Sequence, residues 1–329
     1  DTLRDHTPVA LFPREIDYTE WQTLRRYPIL NWNMGMTYRL RERDERVYPQ
    51  GELARRTIGQ VGDKGNYGVE YVLRDVLEGR DGKARRQRIA RGFYGRVVGG
   101  DNSEPEDGLD VVTTLDLEMQ DVADRALRRQ LEAQNALWGT ALVMEVATGD
   151  LLAMANLSRT KSGAYAEVKN HALSSRMEPG STFKLAALLA LVDDAGMSLD
   201  ETFDTGNGAR VKVGRTTVQD SHGLPPLNLK DAVAHSSNVF FARAVYETYK
   251  DDPERYVDYL RHLHLDRTVG LEEFGAVAPI FPAPGMKIWY PDVSIVNMGY
   301  GYAIELTPLH TLTLYNAVAN DGCMVAPRL

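Results

Sequence analysis

The sequence predicts an α+β protein of two domains, and three observations predict it. A length of 329 residues suits about two domains at ~100–200 residues each. Charge divides unevenly, with a net +1 over residues 1–107 and a net −9 over residues 108–329. Between them Asp101–Gly108 is acidic, contains Pro and Gly, and suits a linker. The first part alternates short apolar runs with glycine and charge, whereas the second follows helix signals with hairpin signals and then more helix. The expected boundaries are therefore 1–107 and 108–329.

Composition narrows the function classes. At 43% hydrophobic and 26% charged, the chain can bury a sizeable core, which excludes intrinsic disorder. A net charge of −8 argues against a general nucleic-acid coat. The single cysteine, Cys323, excludes a disulfide framework and a Cys-rich zinc site. The longest apolar run on the best helix candidate, Leu185–Val192, has eight residues against the ~20 that span a bilayer. The chain starts without Met, and Ala326–Leu329 carries no terminating element, so it reads as a piece of something longer.

In order along the chain, Tyr67-Gly68-Val69-Glu70 and Gly95-Arg96-Val97-Val98 read as short strands. Arg80, Lys83, Arg85, Arg86, Arg88, Arg91 and Arg96 form a basic run broken by Asp81 alone. A polyanion-binding ribbon and a solvated hairpin or partner-docking face both fit it, and the second reading is favoured. Asp116 suits a helix N-cap, with Met119, Val122, Ala123, Ala126 and Leu127 at helical spacing behind it. Thr140–Ala147, a turn at Thr148-Gly149-Asp150, and Leu151–Asn156 read as a hairpin. A helix is expected from Ser181 to Ala195, buried on all sides and closed by Gly196 at C′. Another runs over Leu229–His235, breaks, and resumes through Val239–Tyr249.

The chemistry concentrates at Glu178-Pro179-Gly180-Ser181-Thr182-Phe183-Lys184. Residues i and i+3 share a helix face, which brings the Ser181 hydroxyl within reach of the Lys184 amine. A serine is a poor nucleophile unless a base takes its proton, and a lysine at its usual ~10.4 is no base at neutral pH. Burial among the following apolar residues would push Lys184 toward the neutral form. A helix N-cap serine with a snorkelling lysine is the competing reading. Downstream, His235-Ser236-Ser237-Asn238 interrupts the helical pattern, and Ser236 and Asn238 face one way if that stretch is extended or turned. A hydroxyl beside a carboxamide suits proton relay and amide recognition, although Ser and Asn also favour turns for local bonding.

S-x-x-K followed by S-x-N is the order found in the penicillin-recognising serine acyltransferases, whose third motif is K-[ST]-G. Ala141–Val146 with Ala147–Ala155 resembles the first hairpin of penicillin-binding protein transpeptidase domains, and Glu178–Lys184 resembles their nucleophile segment. Gly299-Tyr300-Gly301, Leu306-Thr307-Pro308-Leu309 and Asn316–Gly322 are similar to the family's later core segment. Arg46-Val47-Tyr48-Pro49, Ile58-Gly59 and Gly65–Glu70 are similar to the pedestal of class B, monofunctional penicillin-binding proteins, the division type more than the elongation type. The third motif is missing in this order. Lys161-Ser162-Gly163 is the only matching triplet, and it precedes Ser181, so it reads as a surface loop.

The resemblance implies a β-rich pedestal and a transpeptidase domain with a five-stranded antiparallel sheet flanked by helices, cut before its last motif. It implies a peptidoglycan D,D-transpeptidase in which Ser181 attacks D-Ala–D-Ala, Lys184 accepts the serine proton, Ser236 relays it, and Asn238 holds the substrate amide. The implied partners are stem peptides, β-lactams, a membrane-embedded lipid II glycan polymerase and other division proteins, with no nucleic acid and no cofactor or metal. The implied location is the cytoplasmic membrane, with the catalytic part on its outer side. Other readings are a serine β-lactamase or carboxypeptidase, a β-lactam-sensing receptor, and a scaffold that is inactive for want of K-[ST]-G. Loss of one oxyanion donor costs on the order of 100–1,000-fold in serine enzymes.

Overall fold

The computed structural model describes residues 14–16, 18–24, 26–27, 47–62, 65–83, 86–90, 93–96 and 103–329. The chain separates into two compact units, Asp1–Pro49 and Gln50–Leu329, so the boundary expected at 107/108 falls inside the larger unit. In the first unit Tyr18–Leu24 is helical, and Arg14 pairs with Glu20 at 2.5 Å.

The larger unit opens with three short helices, Arg55–Ile58, Gly68–Val72 and Arg74–Leu77. The strand expected at Tyr67–Glu70 is instead the start of a helix. Val69 is buried, with Val72 and Leu73 half-buried, while Tyr71 and Arg74 face water. That is a period of three to four rather than two. Gly59 and Gly68 meet backbone to backbone, because a Cβ on Gly68 would stand 2.5 Å from the Gly59 Cα. One antiparallel ribbon follows, Arg86–Ala90 with Phe93–Arg96, in which Arg86 stands opposite Arg96. Among the described residues this region is mixed rather than β-rich. Arg85 and Arg91 of the basic run, and Val97 and Val98 of the second expected strand, lie outside the described residues. The Asp101–Gly108 stretch is not a free linker where it is described: Ser103 bridges to Lys83, and Glu106 to Arg80.

The remaining elements build the main body. Helix α1 (Leu117–Gln134) starts where Asp116 accepts from the Met119 N–H at 2.8 Å, as its sequence predicts. Strands β1 (Trp138–Met144), β2 (Leu151–Arg159) and β3 (Tyr165–Ala166) form an antiparallel sheet in that order. The expected hairpin is present, but the sheet has three strands among the described residues where five were expected. Strand β2 is buried from Leu151 to Leu157 almost without interruption. It is covered on both faces, which explains its continuous apolar run. Ala123 of α1 packs on Ala153 and Ala155, while Leu151 and Met154 pack with Ala172, Leu173 and Leu309. Ala172 and Leu173 belong to the short helix α2 (His171–Ser174).

The main core lies beyond the sheet. Helix α3 (Lys184–Leu189) continues into a π-helical turn, Ala190–Asp194, and stops at Gly196 with φ 68°. Alanines 186, 187 and 190 are fully buried, which lets α3 press against Val239, Phe240, Phe241 and Val245. The expectation that this helix is buried all round is corrected: Leu185, Leu188 and Leu189 are half-buried, and Val192 is 38% exposed. Only its alanine face, with Lys184 and Leu191, is sealed. Helix α4 (Leu229–Ala234), helix α5 (Asn238–Tyr249) and helix α6 (Pro253–His262) follow, and α5 is the hub. Helix α7 (Ser294–Met298) packs across α5, and α8 (Pro308–Ala319) returns to β1.

Candidate active site

Pro179 and Gly180 end the extended segment before the helix, and Gly180 adopts φ 55°. A 3-10 turn over Gly180–Phe183 then leads directly into α3. This turn is tighter than the α-helix expected from Ser181, yet it still sets Ser181 and Lys184 on one face. Lys184 Nζ stands 3.1 Å from Ser181 Oγ. Ser181 is exposed, while Lys184 is buried with 5% of its surface accessible.

The turn is clamped from far along the chain. Gly180 N–H donates to Gly301 O at 2.9 Å, and Met177 exchanges two backbone bonds with Leu306. Glu178 Oε1 accepts from the Ala303 N–H at 2.9 Å. A Cβ on Gly301 would lie 1.9 Å from Gly180 O, and Gly301 holds φ 90°, so both space and backbone conformation require glycine there. Tyr315 OH donates to Thr182 O at 3.0 Å and fixes the far side of the turn.

Ser236 and Asn238 reach the same lysine from the break between α4 and α5. Helix α4 stops at His235, Ser236 adopts the left-handed φ of 53°, and Ser237 is extended and caps α5 through a 3.0 Å bond from the Phe240 N–H. This geometry is the turned alternative, and it aims three oxygens at Lys184. Nζ lies 2.5 Å from Ser236 O, 3.1 Å from Ser236 Oγ and 2.7 Å from Asn238 Oδ1. Thus all four residues expected at the site meet around one nitrogen.

The donor arithmetic is informative. Carbonyl oxygens only accept, so two N–H bonds of Lys184 are committed to Ser236 O and Asn238 Oδ1. In the neutral amine, the lone pair then faces the hydroxyls of Ser181 and Ser236, both of which can donate. Burial pushes the Lys184 pKa down to about 8, opposed by the charge of Asp220, which favours the ammonium. A neutral amine next to two hydroxyls can take a proton from one and pass it to the other.

Sequence reasoning missed Asp220. Its carboxylate accepts from Ser237 Oγ at 2.8 Å, Asn238 N at 2.5 Å and Val239 N at 3.1 Å. A lone Asp between a strand and a polar loop carries no motif, so only its buried position reveals it. His222 and His235 are exposed nearby, with ring centroids 6.4 Å apart. Lys161-Ser162-Gly163 lies in an exposed turn whose bonds run back to Thr160. Among the described residues, no group of three or more His, Cys, Asp or Glu could hold a metal ion. No described helix is long and apolar enough to cross a membrane.

Comparison with known proteins follows the same lines. The model of the penicillin binding protein transpeptidase domain matches residues 139–329. The chain is 27% identical over 292 residues to the probable peptidoglycan D,D-transpeptidase PenA of Neisseria meningitidis, covering 85% of this chain and 48% of the relative. It is 30% identical over 303 residues to the penicillin-binding protein PbpB of Mycobacterium tuberculosis, covering 87% and 42%. The chain therefore spans about half the length of the curated relatives it matches. The crystal structure of penicillin binding protein 3 from Mycobacterium tuberculosis in its apo form is similar with a TM-score of 0.70 and 27% identity, covering 85% of this chain and 60% of that one. The same protein complexed with ampicillin gives 0.70 and 28%.

Proposed function

Given that the chain belongs to the penicillin-binding protein transpeptidase family, we propose that it carries the serine–lysine half of a peptidoglycan D,D-transpeptidase active site. One observation carries the reading: Lys184 Nζ is bound to Ser236 O and Asn238 Oδ1, with the hydroxyls of Ser181 and Ser236 at 3.1 Å on its remaining side.

In this reading Ser181 Oγ attacks the carbonyl of the D-Ala–D-Ala bond while Lys184 Nζ takes its proton. The backbone N–H of Ser181, in the first turn of the 3-10 segment, donates to the oxyanion. Ser236 passes the proton to the leaving nitrogen, and the terminal D-alanine departs as a free amine, leaving the acyl group on Ser181. The amine of a second stem peptide then attacks the ester and releases the serine, with the proton returning through the same groups. Asn238 orients both the lysine, through Oδ1, and the substrate amide, through its NH₂. β-Lactams acylate Ser181 as substrate mimics. The relatives' names support the transpeptidase activity. The resemblance of the pedestal-like segments to class B proteins is what favours a role in septal wall synthesis, with a membrane-embedded glycan polymerase as partner and the catalytic part outside the cytoplasmic membrane.

The test is incubation of the intact protein with a fluorescent penicillin, followed by mass mapping of the adduct. Stable label on Ser181 that is absent in Ser181→Ala supports the assignment. Rapid turnover of the label indicates a β-lactamase, and a folded intact protein without any adduct refutes the catalytic reading.

A further inference from the structure

Asp220 is 6% exposed, and among the described residues it has no cation at ion-pair distance. A buried carboxylate is costly unless hydrogen-bonded, and here one hydroxyl and two helix-start amides satisfy it. Those amides do not require a charge, since a carboxamide oxygen would accept the same two bonds. Its location explains the charge better. The three-residue turn Ser236-Ser237-Asn238 is gripped on its N–H and hydroxyl side by Asp220 and on its carbonyl side by Lys184.

Ser236 holds φ 53°, a conformation that costs a non-glycine residue about 1 kcal/mol or more. This conformation directs both Ser236 O and Ser236 Oγ toward Lys184. We propose that Asp220 is a positioning residue of this site: it locks the Ser236–Asn238 turn in the shape that grips Lys184, and it holds a negative charge behind that turn. This inference rests on the transpeptidase reading for its activity readout but not for its second readout.

Among the described residues, the charges facing Lys184 are few. Asp220 is the charged side chain acting on it, the Phe241 ring lies 5.9 Å from Nζ, and Ser181, Ser236 and Asn238 complete its surroundings. Around Asp220 itself stand Ser237 and the first amides of α5, with the exposed His222 two residues further on and His235 beyond the turn.

The experiment compares wild type, Asp220→Asn and Ser237→Ala in the intact protein. The rate of Ser181 acylation by fluorescent penicillin is measured from pH 5.5 to 10, alongside the pH dependence of Lys184 acetylation by trace acetic anhydride, read by mass spectrometry. Removing the charge should lower the Lys184 titration and the acid limb of the rate profile together, by about one pH unit. Ser237→Ala leaves the charge less neutralised and should move both upward. A residue that only shapes the turn would change the plateau rate and leave both limbs in place, and that result in the two variants overturns the proposal. If Asp220→Asn does not fold, the direction of the Ser237→Ala shift decides. If wild type forms no adduct, the transpeptidase reading fails, while the acetylation titration still decides the role of Asp220.

Discussion

Lys184 sets the pH dependence that acylation at Ser181 should show. With its pKa pushed down to about 8 by burial, most of it is ammonium at pH 7 and cannot take the serine proton. The rate should therefore climb about tenfold per pH unit below 8 and level off above it, measured as adduct formation against pH. A flat profile between pH 6 and 9 would contradict the assignment of Lys184 as the base. Gly301 gives the second test at this scale. An added Cβ would meet Gly180 O at 1.9 Å, so Gly301→Ala should displace the nucleophile turn, cost on the order of 2 kcal/mol and slow acylation at least tenfold. The chemistry-bearing side chains were legible because Ser181, Lys184, Ser236 and Asn238 lie in two short motifs with fixed spacing. Asp220 was not, because its role comes from folding across to α5, and no local pattern records that.

Helix ends were readable where a single side chain makes the decisive bond. Asp116 accepts from Met119 N as expected, and Asp116→Ala should cost about 1 kcal/mol, read by urea denaturation. Gly196 closes its helix at φ 68° with open space where a Cβ would stand. Gly196→Ala therefore tests backbone strain alone and should cost about 1 kcal/mol without affecting the adduct. Less was readable inside the elements. The run Lys184–Asp194 changes from α to π geometry where α5 and α6 contact it, and no local sequence signal marks the change. Tyr67–Glu70 looked like a strand because four residues are too few to separate a period of two from one of 3.6. The hairpin of β1 and β2 was legible from its pattern, whereas the five-stranded sheet came only from the resemblance, for a domain cut before its last motif. Strand number is a property of pairing, and three strands pair among the described residues.

In the larger unit a half-buried carboxyl links the opening helices to the sheet. Glu167 accepts from Arg56 N at 2.7 Å and Asn156 N at 3.3 Å, and burial raises its pKa from 4.5 to about 7. The folded chain thus holds a proton that the unfolded chain releases near pH 4.5. Between those values the folded state binds more protons, so this group's contribution to stability falls as pH rises, by about 3 kcal/mol in total. Melting temperature should decline from pH 5 toward pH 7.5 in wild type, and Glu167→Gln should flatten that slope; an unchanged slope would contradict the assignment. The clamp on the nucleophile turn has a consequence for biosynthesis. Gly180 is tied to Gly301 and Met177 to Leu306, partners more than a hundred residues later. A ribosome must therefore deliver the chain through Leu306 before the serine can be held in its working shape. On the transpeptidase reading, nascent chains that already contain Ser181 should stay unreactive toward acylating antibiotics until this region is complete, which adduct formation on stalled chains of increasing length would check.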